Sequence, residues 1–198
     1  TADYQDLIYL HDEDSLYVAQ FAPATVAWRC QGERVVVTQR TRFPEEEATE
    51  LTVAVARPQE FGLAVRVPSW LAKTLTASVN DKPVAVKLGT DNWARIHRKW
   101  SNGDRLRIEL PMAFHLSRID PKIDPKNEYP AAIMRGPVVL AVRSADGNPS
   151  RQIEYGRLNE TLKPVPGQPL NYRTGKDEAL LVRPFYQFAA GEPYFMYL

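Results

Sequence analysis

Apolar and polar residues alternate along most of the chain, and the stretch Phe61 to Trp70, FGLAVRVPSW, shows the pattern most clearly. Every second residue from Leu63 to Val67 falls on one side of an extended chain, whereas Ala64 and Arg66 fall on the other. The proline that follows removes a backbone donor and ends the run. This pattern predicts a strand with one face in a core.

Similar runs before and after this stretch predict a series of further strands. These runs alternate in polarity or are rich in β-branched residues. They cover residues 16–21, 25–28, 34–41, 51–55, 75–79, 93–100 and 105–110. Residues 1–10 fit either the end of a helix or a lead-in strand, and no helical periodicity of ten or more residues appears anywhere in the chain.

Turn-forming residues separate these runs. Gly32 predicts a turn, and Asn80-Asp81-Lys82-Pro83 is a turn signal between two β-like runs. Asn102-Gly103, between the runs at 93–100 and 105–110, is the strongest hairpin signal in the chain because both residues tolerate positive φ.

A polar connection punctuated by prolines, residues 120–126, predicts a domain boundary at or just before it. After it come apolar runs on either side of Arg135-Gly136, a proline-rich segment at 162–169 and short aromatic-rich segments near the end. We therefore predict an all-β protein of two antiparallel, jelly-roll-like β-sandwich units with little helix. The first unit covers residues 16–115 and the second covers residues 116–198.

Composition excludes several classes of function. The 198 residues are 44% hydrophobic and 25% charged, which is an ordinary globular balance. The net charge of +1 does not favour binding to nucleic acid or to an anionic membrane. The single cysteine, Cys30, excludes an internal disulfide. The first residues show neither an initiator Met nor a signal peptide, so we expect a fragment or a processed product.

The residues suited to catalysis or metal binding do not form known motifs. His11, His97 and His115 are scattered and lack a nucleophile context, so we expect surface or rim histidines. Asp12-Glu13-Asp14 lacks the spacing and the glycine of a calcium loop, which favours a solvated acidic turn. Glu45-Glu46-Glu47 is expected to be a charged loop that discourages strand pairing with other chains. The sequence therefore predicts no catalytic, cofactor-binding or metal-binding residue.

The aromatic residues allow two interpretations. Trp28, Trp70, Trp93, Trp100 and nine tyrosines either stack on sugar rings or pack in the core. Core packing is the commoner use in β proteins. Trp93 and Trp100 are seven residues apart, so we expect them on opposite faces of one strand rather than in one platform. The role of Trp70 stays open, and we expect it to be packed.

Four segments together resemble a known family. They read LAVRVPSW, SVNDKPV, KWSNGDRLRIELPM and AAIMRGPVVLAV, and the chain closes with FYQFAAGEPYFMYL. Their order and spacing resemble the β-sandwich that follows the catalytic barrel in glycoside hydrolase family 127, the β-L-arabinofuranosidase group formerly labelled a domain of unknown function. The resemblance runs from about Asp14 to Leu198.

The resemblance implies that the parent protein is a carbohydrate-active enzyme with an (α/α)6 barrel before Thr1. Residues 1–15 would then be a lead-in from that barrel. In the family, the nucleophile is a zinc-bound cysteine in the barrel. Cys30 matches no part of that constellation, so zinc is implied for the parent barrel only, and this chain is expected to carry no cofactor.

Three functions follow as hypotheses. The leading one is a non-catalytic β region that braces the barrel of the same polypeptide and supports a homodimer. The second is a carbohydrate-binding module that uses exposed Trp or Tyr residues to bind plant-wall carbohydrate. The third is an interaction domain whose apolar patch meets a partner. The resemblance implies a periplasmic or secreted location.

Overall fold

The computed structural model describes residues 7–120, 122–126, 130–146, 153–175 and 180–197. Strands account for 51% of the residues and helices for 8%, which confirms the all-β prediction. In the described part of the chain, no helix is long and apolar enough to cross a membrane. The chain divides into two compact units, Thr1–Pro111 and Met112–Leu198.

The first twelve strands comprise eleven in the first unit and one, β12, near the start of the second, and the longer ones coincide with runs of alternating or β-branched residues. They are β1 (Tyr9–His11), β2 (Ser15–Val18), β3 (Ala24–Cys30), β4 (Glu33–Thr41), β5 (Ala48–Val55), β6 (Gln59–Arg66), β7 (Thr76–Val79), β8 (Lys82–Val84), β9 (Lys87–Leu88), β10 (Trp93–Trp100), β11 (Arg105–Glu109) and β12 (Phe114–Ser117).

The first unit is a sandwich of two sheets. One sheet has five strands in the order β1-β2-β6-β10-β9, and the other has six in the order β3-β4-β5-β11-β7-β8. All pairs in these sheets are antiparallel except β2 and β6, which run parallel. One hydrophobic core contains buried residues of both sheets, from Leu16 to Leu110.

The predicted core strand is β6, and it lies in the middle of the five-stranded sheet. Phe61, Leu63 and Val65 are fully buried in the core, as the alternation predicts. Ala64, on the other face, is also buried, because Tyr17 of β2 and Arg95 of β10 are its neighbours on either side. Glu60 and Arg66 on that outer face are exposed, so the strand has one face in the core, as the sequence predicts.

The Asn102-Gly103 turn does not form the predicted hairpin. β10 pairs with β6 and β9 in one sheet, while β11 pairs with β5 and β7 in the other, so the turn carries the chain between the two sheets. Gly103 adopts a φ of 84°. The Asn102 side chain accepts a bond from the Val55 amide, and the Asp104 carboxylate accepts one from the Ser101 amide. These bonds complete the turn without any pairing of the strands that flank it.

In the first unit, tight two-residue hairpin turns lie at Gln31-Gly32 and at Asn80-Asp81. All four residues have positive φ, as tight two-residue hairpin loops require. The second loop is shorter than the sequence signal suggests, because Lys82 and Pro83 already belong to β8.

The second unit contains one seven-stranded sheet in its described part. Its strands are β12, β13 (Ala132–Arg135), β14 (Val138–Arg143), β15 (Leu162–Pro164), β16 (Tyr172–Thr174), β17 (Leu181–Pro184) and β18 (Tyr194–Phe195). Their order is β12-β13-β14-β17-β16-β15, with β18 also paired to β14. Short helical segments lie at Ser144–Asp146, Tyr155–Arg157, Leu158–Thr161 (α1) and Phe185–Gln187.

The sequence predicts that the second unit starts at residue 116. In the structure it starts slightly earlier, at Met112. β12 begins at Phe114 and pairs with β13, so this segment is part of the seven-stranded sheet of the second unit. The predicted lead-in contributes β1 to the first sandwich. Residues 1–6 of that lead-in and Pro121 of the predicted connection lie outside the described residues.

Candidate functional site

The three histidines lie apart from one another. They occupy β1, β10 and β12, and all are exposed. His97 Nδ1 is 3.6 Å from Glu60 Oε1, and His11 contacts the carbonyl of the next residue. No group of three His, Cys, Asp or Glu side chains within the described ranges could hold a metal ion. The described residues therefore do not fit the zinc that the resemblance implies for the parent barrel.

Cys30 ends β3 and is fully buried in the core of the first unit. Burial, assisted by the Asp14 and Asp12 carboxylates, raises the pKa of its thiol. Since the thiolate is the nucleophilic form, the geometry holds Cys30 as a small core side chain.

The acidic turn at residues 12–14 is organised by its own backbone. Asp12 Oδ1 accepts bonds from the amides of Asp14 (3.1 Å) and Ser15 (2.8 Å), and Oδ2 accepts one from Tyr17 Oη (2.8 Å). Burial works against ionisation, but these bonds outweigh it and lower the pKa of Asp12. The Asp12 carboxylate therefore stabilises the turn that leads into β2.

The acidic loop at 45–47 has a similar local role. Glu46 pairs with Arg42 at 3.3 Å, and the Glu47 carbonyl accepts a bond from the Leu110 amide at 2.7 Å. The first contact lies within the connection between β4 and β5, and the second joins the loop to the residue that follows β11.

The four tryptophans do not form a flat exposed platform. Trp28 and Trp100 are buried, and the Trp100 indole donates a hydrogen bond to the Phe61 carbonyl at 3.0 Å. Trp70 is half-buried and stacks on Phe43 at 5.5 Å, so it is packed as predicted. Trp93 lies on the face of β10 opposite to Trp100, which confirms the prediction from their spacing.

The outer face of the five-stranded sheet carries a linked polar and aromatic group. Trp93 meets the Tyr17 ring edge-on, at 5.0 Å and 84°. Arg95 lies 5.9 Å from the centre of the Tyr17 ring and forms an ion pair with Asp91. The Arg95 guanidinium also donates a hydrogen bond to the Asp91 carboxylate, which lowers the pKa of Asp91 to about 2. Because these two rings are perpendicular, they do not form one flat platform on which a sugar could stack.

The second unit contains a cavity of about 620 Å³. It is lined by Arg143, Asp146, Arg173, Leu180, Leu181, Arg183 and Glu192. No sequence motif marks it, because its residues come from β14, β16, β17 and two separate loops. One feature of the sequence could have indicated the cavity: an arginine that ends an otherwise apolar run, as Arg183 does after Leu181 and Val182.

The pairing of the strands brings the arginines to one face of the sheet. Arg173 lies opposite Leu181, and Arg183 follows Leu181 by two residues. Arg183 lies opposite Ala141, which precedes Arg143 by two residues. Since side chains alternate along a strand, these residues share one face, while neighbours such as Val142 and Val182 are buried on the other.

Comparison with known proteins agrees with the resemblance. Residues 15–112 match the family model described as the middle domain of the GH127 β-L-arabinofuranosidases. A non-reducing end β-L-arabinofuranosidase of Bifidobacterium longum is 29% identical over 126 residues, which are 61% of this chain and 18% of that protein.

Solved structures share the fold. A GH127 β-L-arabinofuranosidase from Geobacillus stearothermophilus T6 superposes with a TM-score of 0.71 at 21% identity, covering 96% of this chain and 34% of the other. A second GH127 β-arabinofuranosidase gives a TM-score of 0.68 at 17% identity, covering 93% of this chain and 34% of the other. The chain thus spans well under half the length of these relatives. Residues 15–112 match the GH127 middle domain, and the resemblance inferred from the sequence is confirmed.

Proposed function

We propose that this chain is the non-catalytic β region of a larger glycoside hydrolase, and that it braces an (α/α)6 catalytic barrel in the same polypeptide. The parent enzyme would remove terminal β-L-arabinofuranosyl residues. The observation that carries the proposal is the match of residues 15–112 to the GH127 middle domain in a chain that covers about a third of related structures.

The described side chains support a scaffold role. Cys30 is buried, the three histidines are separated, and the tryptophans pack within the first unit. A nucleophile needs an adjacent base, and glycoside hydrolysis needs two carboxylates facing the sugar. The arrangement of these residues instead favours a rigid body on which a catalytic domain can rest.

Exposed aromatic residues near the chain end support a contact surface in the second unit. Five large aromatic side chains are exposed there: Phe185, Tyr186, Tyr194, Phe195 and Tyr197. The rings of the first two touch, and Tyr194 touches Phe188. Exposed apolar groups of this kind mark interaction surfaces, so we expect the barrel, or a second copy of the chain, to pack against this end of the second unit.

The test compares three proteins: the 198-residue chain alone, the parent polypeptide, and the parent without this region. With p-nitrophenyl β-L-arabinofuranoside as substrate, we expect activity from the parent and none from the chain alone. The truncated parent should melt at a lower temperature or aggregate. Enzymatic turnover by the chain alone would refute the proposal, as would a truncated parent with unchanged activity and melting temperature.

A further inference from the structure

We propose that the cavity of the second unit binds a small polyhydroxylated carboxylate, of which a uronic acid is the simplest sugar example. The proposal does not rest on the bracing role, since the cavity is lined by residues of the second unit alone. Its volume of about 620 Å³ falls within the range of small-molecule sites.

The charges at the cavity wall leave one arginine available. Arg143 donates to Asp146 Oδ1 from Nε (3.1 Å) and Nη2 (2.6 Å), and Arg183 donates to Glu192 Oε1 at 2.8 Å. Within the described part of the chain, the Arg173 guanidinium has neither an ion pair nor a hydrogen bond. Among the described lining residues, three cations and two anions leave one positive charge, which suits a ligand with a single carboxylate.

The remaining polar atoms suit hydroxyl groups. Asp146 Oδ2 accepts no hydrogen bond from any described residue, and carboxylate oxygens can each accept more than one. Arginine donors and carboxylate acceptors side by side fit a hydroxyl, because a hydroxyl both donates and accepts. Leu180 and Leu181 supply an apolar surface for the C–H face of a ring.

The wall is held in place before any ligand arrives. The Arg183 guanidinium lies 4.0 Å from the centre of the Phe188 ring, and Glu192 Oε2 accepts a bond from the Ala189 amide at 3.1 Å. Arg183 and Glu192 are each mostly buried, with about a quarter of the side chain exposed. Groups already fixed in position lose less entropy on binding, which raises affinity.

Titration of the 198-residue chain with three ligands, followed by amide chemical shifts, tests the proposal. D-Galacturonate carries both carboxylate and hydroxyls, D-galactose lacks the carboxylate, and acetate lacks the hydroxyls. We expect galacturonate to bind at least about tenfold more tightly than either control, with shifts centred on Leu181 and Arg183.

The variant Arg173→Gln should weaken galacturonate binding by about tenfold or more, because it removes the unpaired charge. Arg118→Gln, at an exposed arginine of the same unit that does not line the cavity, should leave binding unchanged. Near-UV circular dichroism confirms that both variants are folded, and Arg173→Lys, which keeps the charge, should recover part of the affinity.

Three results would overturn the proposal. Equal binding of galactose would show that the charge plays no part. Equal binding of acetate or inorganic phosphate would show a general anion site. A failure of galacturonate to shift any cavity amide at tens of millimolar would show that the cavity does not bind this class of ligand.

Discussion

Three polar side chains inside the first sandwich, those of Tyr9, Gln39 and Thr49, contact one another. Gln39 of β4 is almost fully buried, and its amide lies 3.1 Å from Tyr9 Oη and 2.9 Å from Thr49 Oγ1. Tyr9 Oη also lies 3.3 Å from the Ala24 carbonyl. A buried polar group without a partner costs free energy. This linked set therefore joins β1 to both β4 and β5, and so connects the two sheets.

The raised pKa of Tyr9 predicts that the folded protein loses stability at high pH. Burial raises the pKa of its phenol from 10.0 to about 12. The folded state thus favours the neutral phenol, so its contribution is complete below about pH 10 and is lost as the pH rises to about 12. In Tyr9→Phe this part of the pH dependence disappears. Urea unfolding at about pH 8 and about pH 11 should show a smaller decrease for the variant than for the natural chain.

Tyr197→Phe serves as the matched control because Tyr197 is exposed. It should lose stability between the two pH values as much as the natural chain does. Equal losses in the natural chain and in Tyr9→Phe would contradict the prediction.

At the scale of elements, the turn between β13 and β14 depends on one glycine. Gly136, between β13 and β14, has a φ of +55°, and its amide donates to the Ala113 carbonyl at 3.1 Å. A Cβ at this position would lie closer to the Met112 side chain than van der Waals contact allows. The turn therefore requires glycine for two reasons, backbone conformation and space.

Gly136→Ala should destabilise the second unit by about 1–3 kcal/mol, because it adds strain at positive φ and overpacks Met112. Gly156→Ala is the matched control, since an added Cβ there meets nothing within 4 Å and φ is ordinary. Chemical denaturation of both variants measures the difference. A loss in Gly136→Ala within about 0.5 kcal/mol of the control would contradict the prediction.

At the scale of the whole molecule, the first unit has a core of its own. All its buried core residues lie between Leu16 and Leu110, and they come from both sheets of one sandwich. A separate hydrophobic core is the property that allows a domain to fold alone.

We therefore expect residues 1–111, expressed alone, to fold and to melt in one cooperative transition. Calorimetry together with a dispersed proton–nitrogen NMR spectrum checks this. Trp100→Ala in the same fragment should abolish or strongly lower that transition, because Trp100 is fully buried and bonded to the Phe61 carbonyl. A fragment with a broad, non-cooperative melt would show that the first unit needs the rest of the chain.

The sequence by itself determined that the chain is all-β, and it placed strands such as β6 and β10 close to their observed bounds. It also predicted that Trp70 is packed and that Trp93 and Trp100 lie on opposite faces. The strand positions and the opposite faces of Trp93 and Trp100 follow from alternation along one strand, which is local.

The tertiary structure alone decided which strands pair and which side chains meet. β10 pairs with β6 rather than with β11 after Asn102-Gly103, and β2 runs parallel to β6. The cavity brings Arg143 of β14 beside Arg173 and Arg183, which come from two strands about 30 to 40 residues later in the chain, because β14, β17 and β16 are adjacent in the sheet. A period of two residues tells which face a side chain takes, but not which strand will lie beside it, because pairing depends on the burial of the whole core.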